Sequence, residues 1–238
     1  MKTITFLLLC LIAAFNSHAQ YNYPNKQVYG DVALSGIGGF SSAFSYNQLY
    51  GVGKSKLFKI GWGVRLTSFF GKNLDYYTAP ARLTSGEVGP QVLFVENVLS
   101  NIDTLKLTKT QTNALNLDIH LQYSFRKLDI GFNIDAIGAT FGGEQTGAFV
   151  AKSTGSRFDG TQQNAKPTVF NLLLVSDNDL GSLNSELYGR YWLKENIGLR
   201  IGASFQFTEY TTSQKLTFEN DRFRNKALMP FIGISFKL

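Results

Sequence analysis

Residues 115–125 alternate without exception. Leu115, Leu117, Ile119, Leu121, Tyr123 and Phe125 are apolar, and Asn116, Asp118, His120, Gln122 and Ser124 between them are polar. A helix would need apolar positions three and four apart; a strict two-residue period gives a strand with one apolar and one polar face. The run covers eleven residues, against about five or six for a soluble strand, and suits a tilted strand that crosses a membrane. The same period returns where Ile197, Leu199, Ile201, Ala203, Phe205 and Phe207 alternate with Gly198, Arg200, Gly202, Ser204 and Gln206. It returns again where Phe58, Ile60, Trp62, Val64 and Leu66 alternate with Lys59, Gly61, Gly63, Arg65 and Thr67.

Three further strands follow the same rule. In 128–141, Leu128, Ile130, Phe132, Ile134 and Ala136 share a face; 183–193 is a strand; in the last, Leu228, Pro230, Ile232, Ile234, Phe236 and Leu238 lie together. Residues 28–46 have strand composition interrupted at Gly38-Gly39, a pair suited to a tight turn, so they divide into a short hairpin. That gives eight strands, or ten if 86–112 contributes a hairpin. Tight turns fall at Arg126-Lys127 and at Lys194-Glu195-Asn196, and long connections at 71–113, 142–182 and 211–225. Long and short connections in alternation are the mark of an up-and-down barrel with brief periplasmic turns and extended outer loops. The expected fold is therefore all-β: a transmembrane antiparallel barrel of about eight strands with long outer loops.

Alternation alone does not say which face meets lipid, since a soluble barrel with an apolar interior has the same period. Glycine and aromatic placement favour lipid outside. Gly61, Gly63, Gly131, Gly198 and Gly202 sit on the polar face, where a crowded interior needs small residues and a solvated surface does not. Aromatic residues also gather toward strand ends (Phe69, Phe70, Tyr123, Phe125, Tyr191, Trp192, Phe207, Tyr210), as interfacial girdles do. A one-residue slip of 197–207 would set Arg200 against hydrocarbon at a cost of about 2–4 kcal/mol, so the arginines fix the register.

The N-terminus supplies a route to the membrane. Lys2, the apolar stretch Phe6 to Ala14 and Ser17-His18-Ala19 before Gln20 read as a secretory signal peptide over 1–19, leaving 20–238 as the barrel domain. The chain's one cysteine, Cys10, falls in that leader, so the mature chain has no disulfide or thiolate metal site. The residues beyond the leader hold no apolar run long enough for a membrane helix. The formal charge of +6, or +5 once Lys2 is removed, is spread over Lys26, Lys54, Lys56, Lys152, Lys166 and Lys226. Without a dense basic run, this charge points to anionic lipid head groups rather than nucleic acid.

The signal ending Ala19-Gln20, the repeated hairpins and the terminal strand Met229 to Leu238 together resemble the small outer-membrane β-barrel proteins of Gram-negative bacteria, the porin-like group. The resemblance implies residence in the outer membrane and contact with its lipid and lipopolysaccharide. It also implies recognition of the last strand by the barrel-assembly machinery. That strand departs from the commonest form by ending in Leu238, with Phe236 two places earlier. The group spans many functions, so architecture does not name an activity.

Parity places Lys59, Arg65, Asp118, His120, Asp129, Asp135, Glu186, Arg190 and Arg200 on the inward face. Both signs are present, as mutual neutralisation requires, and eight strands leave room only for side chains. The expectation is a polar network filling the lumen of a non-enzymatic barrel with an envelope or surface role; the alternative is a channel or transporter for small or hydrophobic solutes. His120 shares its strand with Asp118 and Ser124, but three groups strung along one strand do not make a triad. The sequence carries no catalytic constellation, no metal site and no cofactor motif. Asp177-Asn178-Asp179 reads as a capped turn rather than a calcium loop. Val169 to Val175 is unusually apolar for a loop: it could fold back over the barrel mouth or extend a strand above the membrane, with a partner or ligand surface as the alternative.

Overall fold

The computed structural model describes residues 23–36, 38–87, 89–152, 156–174 and 176–238; the expected leader, 1–19, lies outside them. Among the described residues no helix is long and apolar enough to cross a membrane. Eleven strands appear among the described residues, in chain order: β1 (Lys26–Gly36), β2 (Phe40–Val52), β3 (Phe58–Thr78), β4 (Thr104–Phe125), β5 (Leu128–Phe141), β6 (Gln145–Val150), β7 (Gln162–Pro167), β8 (Phe170–Leu172), β9 (Asn184–Trp192), β10 (Ile197–Thr212) and β11 (Arg222–Lys237). Eight of them close a ring in the order β1-β2-β3-β4-β5-β9-β10-β11, and every pairing is antiparallel. The division of 28–46 at Gly38 is the first hairpin of that ring, and Gly38 turns it with φ at +74°, a conformation that costs glycine nothing.

The outer face of the ring is apolar and open. Trp62, Ile119, Ile134, Ile201 and Ile232 point away from the interior, and Ile119 and Ile201 are 46% and 58% exposed. An unbroken ring has no free strand edge, so every backbone polar group in this wall can be paired, which hydrocarbon demands. From Phe58 to Phe70 along β3, twelve steps of about 3.4 Å tilted by about 40° span about 30 Å, a bilayer's hydrocarbon thickness. The chain is a transmembrane β-barrel.

The structure corrects the expected connections. The 71–113 connection shrinks to 79–103, because β3 runs on to Thr78 and β4 begins at Thr104. Both strands change phase on the way. Asn73 has φ at +52°, Lys72 and Asn73 are successive exposed residues on β3, and Thr108 and Lys109 do the same on β4. Beyond that step, Leu74, Tyr76, Leu105 and Leu107 face inward, so a fixed two-residue period cannot be followed through it. The 142–182 connection likewise contains β6, β7 and β8. Of the placements open to the apolar stretch, residues 170–172 form a strand, β8, which pairs with β5 through Ala139↔Phe170 and Ile137↔Leu172. Ala136 does not continue the outward face of β5: the register shifts there, and Leu117 pairs with Ile137 while Asp118 pairs with Asp135. The Ala136 carbonyl instead accepts the Leu173 N–H at 2.8 Å.

Above the main ring lies a second, smaller one. β3, β4, β6, β7, β10 and β11 pair in a closed circuit, completed by Phe223↔Thr78 between β11 and β3. Its interior is apolar: Tyr76, Leu105, Leu107, Phe149, Ala165, Tyr210 and Phe223 are all buried together with Leu216. Several aromatic residues expected in interfacial girdles therefore lie inside instead. Tyr210 and Phe69 are fully buried and Trp192 nearly so, whereas Phe70, Tyr123 and Tyr191 do face outward. Adjacent residues alternate sides, so of Phe69-Phe70 and Tyr191-Trp192 only one of each pair can reach lipid.

Candidate functional site

The inward side chains of the eight-stranded ring form the candidate site. Strand alternation sends one residue from each rung inward, and antiparallel register aligns those rungs into layers. Lys59, Arg65, Asp118, His120, Asp135, Glu186, Arg190 and Arg200 all lie inside the wall, none more than 4% exposed.

Seven charges form a continuous chain of alternating sign along the barrel. Near the turn end, Asp129 lies 3.2 Å from Arg190 Nε and accepts the Trp192 indole N–H at 2.8 Å. Arg190 approaches Asp31 at 3.9 Å, and Asp31 sits 3.0 Å from Arg200. Arg200 reaches Glu186 at 2.8 Å, Glu186 lies 3.2 Å from Arg65, and Arg65 meets Asp135 at 2.5 Å. Amides add to the carboxylate coordination. Asn47 donates to Asp31 at 2.6 Å, Asn133 to Glu186 at 2.9 Å and Asn116 to Asp135 at 2.7 Å. Aromatic faces cover the guanidinium planes, with Arg190 4.1 Å from the Tyr29 ring centre and Arg200 4.1 Å from that of Tyr188. Each member of this chain thus meets an opposite charge, the condition under which buried ions are tolerated, while Asp31 Oδ1 and Arg200 Nε have no hydrogen-bond partner among the described residues.

Space inside is limited, as the inward glycines indicate. A Cβ on Gly131 would stand 2.3 Å from the Tyr188 ring, and one on Gly63 2.4 Å from both Asn47 and Asp118 side-chain oxygens. Tyr188 occupies the room Gly131 leaves, and Arg200 stacks upon it.

Three predicted residues, Lys59, Asp118 and His120, stand apart from the chain of charges. His120 Nε2 lies 2.9 Å from Asp118 Oδ2, and among the described residues that is its side chain's one hydrogen bond. Ser124, the other residue singled out on this strand, instead accepts the Lys59 ammonium at 2.6 Å and a Gln122 N–H at 3.0 Å. Lys59 also faces the Tyr23 ring at 5.0 Å, while the Tyr23 hydroxyl accepts the Arg126 N–H at 2.7 Å. The segment just before β1 therefore folds back under the turn end of the barrel.

Asp31 is the functional residue that sequence reasoning missed, although it bridges two arginines. Its signal was present: Val32 and Leu34 face outward, which sets Asp31 inward by parity. A second cluster was also missed, on the outer face of the upper ring. Glu209, fully buried, receives Arg222 Nε at 2.8 Å and Arg224 at 2.8 Å, and Lys226 reaches Asp177 at 2.6 Å. Residues 176–183 lie against these charges: the Asp179 carbonyl accepts both Arg222 and Arg224, and the Gly181 N–H donates to Glu209 at 3.3 Å. Asp179 also caps the Leu174 N–H at 2.6 Å. Burial raises its carboxyl above the ordinary carboxylate range, a shift that the Leu174 bond and Arg224 partly oppose.

No family model matches the chain, and no curated protein matches it. Among solved structures, it is similar to Neisserial surface protein A at a TM-score of 0.38 and 9% identity, over 90% of this chain and 96% of the other. A major outer membrane protein from Thermus thermophilus is similar at 0.38 and 10% identity, over 90% and 100%. The Ralstonia pickettii toluene transporter TbuX is similar at 0.25 and 11%, over 92% and 79%. The fold itself is carried by the closed pairing of this chain's own strands, which has the architecture of an outer-membrane β-barrel.

Proposed function

We propose that this protein is a non-enzymatic barrel of the outer membrane, closed to solute flow, whose work is done on the envelope or at its loop surface. The observation that carries this reading is the continuous ion-pair chain from Asp129 to Asp135, seated below the apolar core of the upper ring. An ion crossing the barrel would have to part several buried pairs and then displace packed aromatic rings, each step costing several kcal/mol. In this reading the signal peptide directs export, the loop end faces outward, and the barrel-assembly machinery receives β11, the strand that closes the ring against β1. Glycolipid of the outer leaflet then surrounds the wall.

The test is electrical. Purified protein reconstituted in planar bilayers at high salt is expected to add no steady conductance. Regular openings that scale with salt concentration would sink the closed-barrel reading and favour the channel alternative. A transport assay with small aromatic solutes in liposomes tests the same alternative for uncharged cargo, and the expected flux is that of empty liposomes.

A further inference from the structure

Lys72 on β3 and Lys109 on β4 are direct cross-strand partners, both exposed on the outer face. Like charges placed directly opposite in an antiparallel pair repel. Among the described residues neither lysine has a carboxylate within the 4 Å range of an ion pair. Two rungs further up, beyond Leu74↔Leu107, the chain sets Asp75 against Lys106, and at the rim Glu144 pairs with Lys166 at 3.4 Å. Opposite charge is thus available on this wall, yet at this rung two ammonium groups stand together.

Their height is informative. Phe70 precedes Lys72 by two residues and forms a ring pair with Phe40 at 6.4 Å. Both rings face outward at the top of the apolar band, the level at which aromatic girdles mark the interface. Two residues of strand add about 7 Å before tilt, which puts the lysines at head-group depth. A cleft of about 810 Å³ joins the two levels, bounded by Gly39, Phe40, Phe70, Lys72, Lys109 and Gln111. Its lower wall is aromatic and its upper wall doubly cationic.

We infer that this cleft is a binding site for a phosphorylated glycolipid of the outer leaflet, with the phosphate between Lys72 and Lys109 and an acyl chain along Phe40 and Phe70. A phosphate shared by the two ammonium groups turns their repulsion into attraction, and the aromatic wall requires the ligand to carry a hydrocarbon tail. The inference rests on the proposed orientation, with the loop end facing outward.

Native mass spectrometry and titration of detergent-purified protein test it, using diphosphoryl lipid A, its dephosphorylated form and inorganic phosphate as separate probes. The expected result is retention of the diphosphoryl form and about thirtyfold weaker binding in the double variant Lys72→Gln/Lys109→Gln. The dephosphorylated form should bind wild type no better than that variant, and millimolar inorganic phosphate should not displace the lipid. The control Lys54→Gln/Lys56→Gln, at the turn end, should bind as wild type does. Unchanged affinity in the Lys72/Lys109 variant would overturn the site, and displacement by inorganic phosphate would overturn its assignment to a lipid. Both lysines are exposed, and heat-dependent gel mobility checks that the variant barrel is folded. Failure to insert into bilayers would defeat the barrel's proposed place in the membrane; insertion without phosphate preference would defeat only this site.

Discussion

The two rings of this molecule are inverted copies of one design. In the eight-stranded ring, charges fill the interior and apolar residues face outward; in the six-stranded ring, aromatic residues fill the interior and Glu209, Arg222 and Arg224 lie on the outside. Two of the strands that continue from one into the other, β3 and β4, step out of phase at Asn73 and Thr108-Lys109, where the interior changes from polar to apolar. The medium outside decides which residues the inside can hold. Below the step, polar groups must be withdrawn from lipid and satisfied among themselves; above it, ordinary burial of apolar surface drives closure.

If the lower interior is held by paired charges, removing one bridging member should be the most damaging single change. Glu186 serves both Arg65 and Arg200. Glu186→Ala leaves two guanidinium groups without that carboxylate in a dry interior and is expected to cost about 3–5 kcal/mol. Glu186→Gln, which keeps an acceptor oxygen, should cost less. Reversible urea unfolding in phospholipid vesicles measures both, and equal stability of Glu186→Ala and wild type would contradict a lumen organised by this chain of ion pairs.

The upper ring should respond differently, to loss of volume rather than loss of charge. Phe149 is fully buried and packs edge-on against Phe223 with centroids 5.9 Å apart. Phe149→Ala should cost about 3 kcal/mol through the cavity it leaves, and the cost should fall on the upper ring alone. The expected sign is protease cleavage between β6 and β7 while the eight-stranded ring keeps its heat-dependent gel mobility. Simultaneous loss of both would show that the rings fold as one unit.

Much of this arrangement can be read in the sequence where lipid enforces strict alternation. The strands at 58–67, 115–125, 128–135 and 197–207 and the turns at Gly38, Arg126-Lys127 and Lys194-Glu195-Asn196 follow from period and turn chemistry, and the inward side of Arg65 or Arg200 follows from their phase. Partners do not follow, because Arg65 meets Glu186 only once β3 and β9 face each other across the lumen. The six-stranded ring is also hidden. The phase step at Asn73 breaks the pattern of β3, and the polar run Gln162-Gln163-Asn164 in β7 looks like loop. Asp177 and Asp179 do cap local structure, but their place on the β10–β11 wall depends on pairing between distant segments.

The outer face offers a finer comparison of the two media. Trp62→Arg, at mid-height of the lower wall, should destabilise by about 2–4 kcal/mol in vesicles. Val150→Arg, on the outside of the upper ring, should stay within about 0.5 kcal/mol of wild type, as exposed changes in water do. Equal costs from the same vesicle titration would mean that the lipid boundary does not lie between these heights.

The smallest expected effect concerns the segment laid over the upper charges. Burial holds the Asp179 carboxyl above the range it has in an unfolded chain, so the folded segment binds a proton more tightly than the unfolded one. By linkage, the cost of keeping Asp179 ionised is present in full above the folded value and is relieved as pH falls through that value toward the unfolded one. Asp177, Glu209, Arg224 and Lys226 share this surface. The Asp179 contribution is isolated by comparison with Asp179→Asn, which keeps an oxygen to accept the Leu174 N–H. The reporters are the Leu172 and Leu180 amides, paired with each other's carbonyls at 3.0 Å across the base of the segment. Their hydrogen-exchange protection, corrected for intrinsic rates, should gain more on mild acidification in wild type than in Asp179→Asn. Identical pH dependence in the two proteins would show that this carboxylate is not held against its charge.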